Sequence, residues 1–65
     1  MPMTPEQKQE FINENIEALK TEIWKLDTLA AAFEKAGAKE TAKANVEKSA
    51  ELTRVLEALK ATPID

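Results

Sequence analysis

The first half of this chain contains the stretch INENIEALKTEIWKLDTLAAAFEKAG, residues 12–37. Apolar side chains recur in it at alternating intervals of four and three positions, a spacing that predicts a helix with one apolar stripe of the coiled-coil type. The stretch ends at the only glycine of the chain, Gly37, and glycine commonly terminates a helix in the left-handed conformation. We call the apolar positions of this stripe the first seam: Ile12, Ile16, Leu19, Ile23, Leu26, Ala30 and Phe33.

The residues before the first seam predict where its helix begins. Thr4 supplies a hydroxyl suited to an N-cap, and Pro5 suits the first helical position because its missing N–H needs no partner there. Gln7 stands where its side chain can close a capping box with Thr4. We therefore predict a helix from about residue 5 to residue 36.

The second half of the chain repeats the same spacing with smaller and more polar residues. Pro63 stops this second helix, which we predict from about residue 38 to residue 61, although no serine, threonine, aspartate or asparagine caps its start. The two stripes are out of phase by an amount that no ordinary coiled-coil discontinuity explains, so a turn at Gly37 is predicted instead of one long helix. The second seam consists of Ala38, Ala42, Asn45, Ser49, Leu52, Leu56 and Leu59.

The predicted fold class is therefore all-α, an antiparallel two-helix hairpin that forms a single domain with a short C-terminal tail. A chain of 65 residues buries too little apolar surface to be stable with ease, and the absence of cysteine and histidine excludes disulfides and the common zinc sites. Apolar residues also flank the seams, with Leu29 and Val55 on one side and Val46 on the other. These flanking residues widen the apolar stripe, as expected for a helix that packs against two neighbours. We therefore predict a homodimer in which two hairpins form a four-helix bundle.

Composition also limits the functional classes. Without histidine or cysteine there is no ordinary base or nucleophile for neutral pH, and no phosphate-binding glycine motif occurs, so we predict no enzyme, no cofactor and no metal site. No apolar run approaches the length of a transmembrane span, and the N-terminus lacks the features of a signal peptide. We expect a cytoplasmic protein with no membrane partner. The most consistent function is a small protein-interaction or regulatory module.

Two aromatic residues are the strongest candidates for protein contact. Trp24 and Phe11 both lie well away from the seam by helical spacing, on opposite sides of it. Residues 63–64 return to the same end as Phe11 and could cover it. Trp24 is interpreted as part of the self-association surface, as a ring partly covered by neighbouring stems, or as a binding hot spot for another protein. Leu29, Val46 and Val55 complete the predicted protein-contact set.

Two polar residues interrupt the second seam. Asn45 and Ser49 occupy positions where a coiled coil expects apolar side chains. A buried asparagine commonly specifies register and partner number at some cost in stability, so we interpret both as register residues. The alternative is that they line a small polar pocket or a wet interface.

The charge pattern is compatible with two further kinds of partner. The formal net charge is −3, with −4 on residues 1–34 and +1 on residues 35–65. Lys35, Lys39 and Lys43 recur every four residues near the predicted turn, so RNA or DNA binding through this basic stripe is the alternative function. The first helix instead has an acidic outer face that suits a basic protein, formed by Glu10, Glu14, Glu17 and Asp27.

Overall fold

The computed structural model describes residues 1–64 and contains two helices, with no strand in that range. Helix α1 spans Pro5–Lys35 and helix α2 spans Lys39–Lys60, and the two pack against each other. Each helix begins and ends within about one residue of its predicted limits. The molecule measures 51 × 15 × 14 Å, as a hairpin of two long helices requires. The all-α, two-helix prediction is confirmed.

The N-terminus of α1 has the predicted capping box. The backbone N–H of Gln7 donates to the Thr4 hydroxyl over 3.1 Å, and the Gln7 side-chain carbonyl accepts from the Thr4 N–H over 2.9 Å. Pro5 occupies the first turn, where its ring disturbs no hydrogen bond. Two otherwise unpaired backbone donors are thereby satisfied, which defines the start of α1.

The reversal between the helices depends on Gly37, whose φ is +82°. This left-handed backbone lets the N–H of Ala38 donate back to the carbonyl of Phe33 over 2.9 Å, closing the end of α1. The chain then enters α2 at Ala38, which makes no side-chain cap hydrogen bond, as expected from its alanine side chain. The turn is consequently held by backbone bonds of α1 and by packing, with no side-chain cap on α2.

Replacing Gly37 by alanine is expected to destabilise the hairpin by about 1–2 kcal/mol, since a Cβ is unfavourable in the left-handed region. A Cβ built on Gly37 meets nothing within 4 Å, so this loss is one of backbone conformation alone. Thermal unfolding followed by circular dichroism measures it. Gly37→Asn is the matched control and should lose less, because asparagine tolerates positive φ. Equal stability of Gly37→Ala and the original chain would contradict the turn described here.

The seams form the contact between the helices. All fourteen predicted seam positions are buried or half-buried, and among residues 1–64 only Lys8, Gln9 and Asn15 share that degree of burial. The most deeply buried residues are Ala30, Ala42, Ser49 and Leu56, all on the seams. Three of these four have small side chains, so the core of a single hairpin is thin, and the other ten seam residues remain partly exposed.

Candidate protein-interaction surfaces

The predicted protein-contact residues are all exposed on the hairpin. Trp24 is 67% exposed and Phe11 is 58% exposed, which is unusual for side chains of this size. The remaining three, Leu29, Val46 and Val55, are each about half exposed. None of these residues occupies a seam position. The largest aromatic ring of the hairpin and several aliphatic side chains are therefore exposed to water.

These residues divide between two opposite faces, because the two flanks of an antiparallel helix pair point in opposite directions. The Trp24 face carries Trp24, Asp27, Ala31 and Glu34 of α1 beside Lys39, Lys43, Val46, Ala50 and Thr53 of α2. The Leu29 face carries Phe11, Ala18, Leu29 and Ala32 of α1 beside Ala44, Val55 and Ala58 of α2. On both faces the residues recur at three- and four-residue intervals, as a second helix-contact stripe would.

A shallow groove, open to solvent, runs along the Trp24 face near the turn and has a volume of about 470 Å³. Small apolar side chains form its floor. The alanines leave a depression because the side chains beside them are longer. The residues that line it are Asp27, Ala30, Ala31, Glu34, Lys39, Ala42, Lys43 and Val46. Trp24 precedes Asp27 by three positions on the same side of α1, so it lies on the same face about one helical turn beyond the residues that line the groove.

The two rims of the groove have opposite charge. Asp27 and Glu34 line it from α1, whereas Lys39 and Lys43 line it from α2. In the part of the chain that the structure describes, none of these four side chains takes part in an ion pair. The groove therefore presents one acidic and one basic edge, both available to a partner.

Charges on the Leu29 side of the hairpin are arranged differently. Lys25 pairs with Glu22 on α1, and Lys48 pairs with Glu51 on α2, over 3.8 and 3.6 Å. Glu51 thus pairs towards the N-terminus, whereas its sequence spacing also allowed a pair with Arg54. Exposed pairs of this kind contribute little stability. Their effect is that these charges on the Leu29 side are neutralised within each helix.

The two polar seam residues lie where the sequence places them. Ser49 is 5% exposed, and its backbone carbonyl accepts a hydrogen bond from the Thr53 hydroxyl over 2.9 Å. The side-chain nitrogen of Asn45 is buried and has no hydrogen-bond partner within residues 1–64. A buried amide without a partner costs free energy, so Asn45 weakens the seam of a single hairpin.

The C-terminal tail leaves Phe11 uncovered. We expected residues 63–64 to shield this ring, but Phe11 remains more than half exposed. Phe11 directly precedes the seam residue Ile12, and one residue rotates a helical side chain by about 100°, which turns the ring away from the helix contact. The Leu29 face therefore retains an exposed aromatic ring at its open end.

No group of three or more acidic side chains in residues 1–64 is placed to hold a metal ion. Neither α1 nor α2, the helices within that range, has the apolar length needed to cross a lipid bilayer.

Sequence reasoning placed Trp24 and the other predicted contact residues off the seam, but it missed the groove. Lys35, Lys39 and Lys43 were predicted as a basic stripe, but helical spacing did not show that Glu34 lies across a groove from Lys39 and Lys43. A signal for it exists in α2, where Lys39, Lys43, Val46, Ala50 and Thr53 follow the same alternating intervals as the seam. That second stripe marks a further helix-contact surface.

Comparison with known proteins adds no relative, since no family model, curated protein or solved structure matches this chain. The assignment of function consequently depends on the geometry and chemistry of the hairpin itself.

Proposed function

We propose that this chain is a non-enzymatic protein-interaction module that self-associates, with two hairpins packing side by side as a four-helix bundle. The proposal rests on one observation. A single hairpin buries few apolar side chains in its core but exposes several on its flanks. Only Ala30, Ala42 and Leu56 are buried apolar residues within residues 1–64. A core of this size is marginal for a chain of this length, and association is a common remedy.

The surface area of the hairpin supports this proposal. The chain exposes 5075 Å², which exceeds the area of a compact 7.2-kDa monomer by roughly 950 Å². Its radius of gyration is 15.5 Å, whereas a compact chain of this length has about 11 Å. A standard protein interface buries about 800 Å² on each partner. The excess area therefore matches what one partner contributes to a stable dimer.

Nucleic-acid binding through Lys35, Lys39 and Lys43 is the second candidate. Lys39 and Lys43 do line one edge of the groove, but Asp27 and Glu34 form its other edge. A phosphate bound between the two edges would face carboxylates as well as ammonium groups, which reduces the attraction that drives nucleic-acid binding. A salt-dependent band shift of RNA or DNA that Lys43→Glu abolishes would favour this alternative over self-association.

A measurement of molar mass tests the proposed function. Light scattering and sedimentation equilibrium of the purified chain are expected to give twice the monomer mass of 7.2 kDa at micromolar concentration. The midpoint of thermal unfolding should rise with protein concentration, because dilution favours the dissociated state. A monomer mass at every concentration, together with a constant midpoint, would refute the proposal.

A further inference from the structure

We propose that the occupant of the Trp24 face is a second copy of this chain, docked with α1 of each copy against α2 of the other. This inference deepens the proposed function and rests on it, since it names the face and the geometry of self-association. The two-fold axis then runs parallel to the helices, and both turns lie at the same end of the bundle.

The charges of the groove select this arrangement. A two-fold axis parallel to the helices places the acidic rim of α1 opposite the basic rim of α2 from the second copy, and does so twice. An axis perpendicular to the helices within the interface would instead place α1 antiparallel against α1, so that the flank with Glu10, Glu17, Asp27 and Glu34 faces the same acidic flank of the second copy. Opposed like charges disfavour that alternative.

The register of the hairpin brings the opposite charges to the same level. Because the chain reverses at Gly37, residues at the same level on the two helices have numbers that sum to about 75. Glu34 of one copy therefore lies level with a point between Lys39 and Lys43 of the second copy, about 3 Å along the axis from each. The Glu34 carboxylate of each copy thereby gains two ammonium neighbours, and both are unpaired in the single hairpin.

The apolar side chains fit the same arrangement. At the same register Trp24 lies beside Ala50 and Thr53 of the second copy, where small side chains leave room for its ring. Val46 lies close to the level of Ala31 of the second copy, so large again faces small. The largest exposed ring of the hairpin thus lies level with the two smallest side chains on this face of α2.

The two faces differ in the four unpaired charges of the groove, since pairs within one helix occur on both: Glu17 with Lys20 and Glu57 with Lys60 lie on the Trp24 face. On the opposite face Glu22, Lys25, Lys48 and Glu51 are paired within their own helices, so a second copy would offer them little. The Leu29 face is expected to stay exposed in the dimer.

Charge-reversal variants in a mixing experiment test the proposal. Glu34→Lys alone opposes lysine to lysine, and Lys43→Glu alone opposes glutamate to glutamate, at both copies of the contact. Each variant should dimerise at least about tenfold more weakly than the original chain at low ionic strength. Mixed one to one, the two variants should recover the dimer, because both contacts in the heterodimer then join opposite charges.

The matched control is Glu14→Lys, which makes the same change of charge on the outer face of α1 and should leave dimerisation unchanged. Trp24→Ala and Leu29→Ala test the apolar part, and the first should weaken the dimer about 30-fold while the second changes it little. In 1 M salt the difference between each variant alone and the mixture should disappear, because screening removes both the repulsion between like charges and the attraction between opposite charges.

The outcomes separate this inference from the proposed function. Variants that dimerise as well as the original chain, or a mixture that recovers nothing, would overturn the docking on the Trp24 face while self-association stands. Strong weakening by Leu29→Ala with none by Trp24→Ala would assign the dimer to the Leu29 face. An original chain that is monomeric throughout would refute both.

Discussion

Replacing Leu56 by alanine is expected to lower the free energy of unfolding by about 2–4 kcal/mol. Leu56 is 7% exposed and is the only large side chain among the most deeply buried residues of the hairpin. Truncation would leave a void between the helices at the level of Leu19, the residue of α1 opposite Leu56 in the hairpin register. A chain of this size has only about 3–5 kcal/mol of stability to lose, so the variant should be largely unfolded at 37 °C.

Chemical denaturation followed by circular dichroism, at one fixed protein concentration, measures this loss. The concentration must be held constant because association and folding are coupled in a dimer. Leu56→Met is the matched control, since it conserves the volume of the side chain and should cost less than about 1.5 kcal/mol. A loss below about 1 kcal/mol for Leu56→Ala would mean that this residue is not part of the helix contact.

Replacing Asn45 by leucine is expected to stabilise the hairpin, with a gain of about 1–2 kcal/mol in the free energy of unfolding. The reason is that the Asn45 side-chain nitrogen is buried without a hydrogen-bond partner, and leucine removes this polar group while filling a similar volume. For a domain of this size the gain corresponds to a rise of roughly 4–16 °C in the unfolding midpoint.

The same substitution tests whether Asn45 specifies register. A register residue opposes alternative pairings, so Asn45→Leu should also broaden the distribution of oligomers seen by sedimentation velocity. Asn45→Ala serves as the control, because it removes the amide without adding apolar volume and separates the two contributions. A sharp fall in stability for Asn45→Leu would show that the amide has a partner in solution and that the register interpretation is wrong.

The helices and their turn were predictable because the signals for them are local. The intervals between Ile12 and Phe33 specify which side of α1 is apolar, whatever that side later contacts. Thr4 and Gln7 define the start of α1 within three residues of chain, and Gly37 supplies the one positive φ that the reversal requires. Fold class and seam positions follow from such short-range patterns.

Side-chain environments between the helices were less accessible to sequence reasoning. Whether Asn45 finds a partner depends on which atoms of α1 come within hydrogen-bonding distance, and helical spacing does not give that distance. The pairing of Glu51 with Lys48 likewise reflects a choice between two neighbours that spacing allows equally.

The groove on the Trp24 face shows most clearly what spacing within one helix predicts and what only the packing of two helices determines. Spacing along α1 alone established that Trp24 lies off the seam, but the acidic and basic edges belong to different helices and become one surface only when the chain reverses. Periodicity describes one helix at a time, whereas a surface shared by two helices depends on how closely their backbones approach. That approach is determined by the packing of side chains such as Ala30 and Ala42 in three dimensions, and it is therefore a property of the folded hairpin.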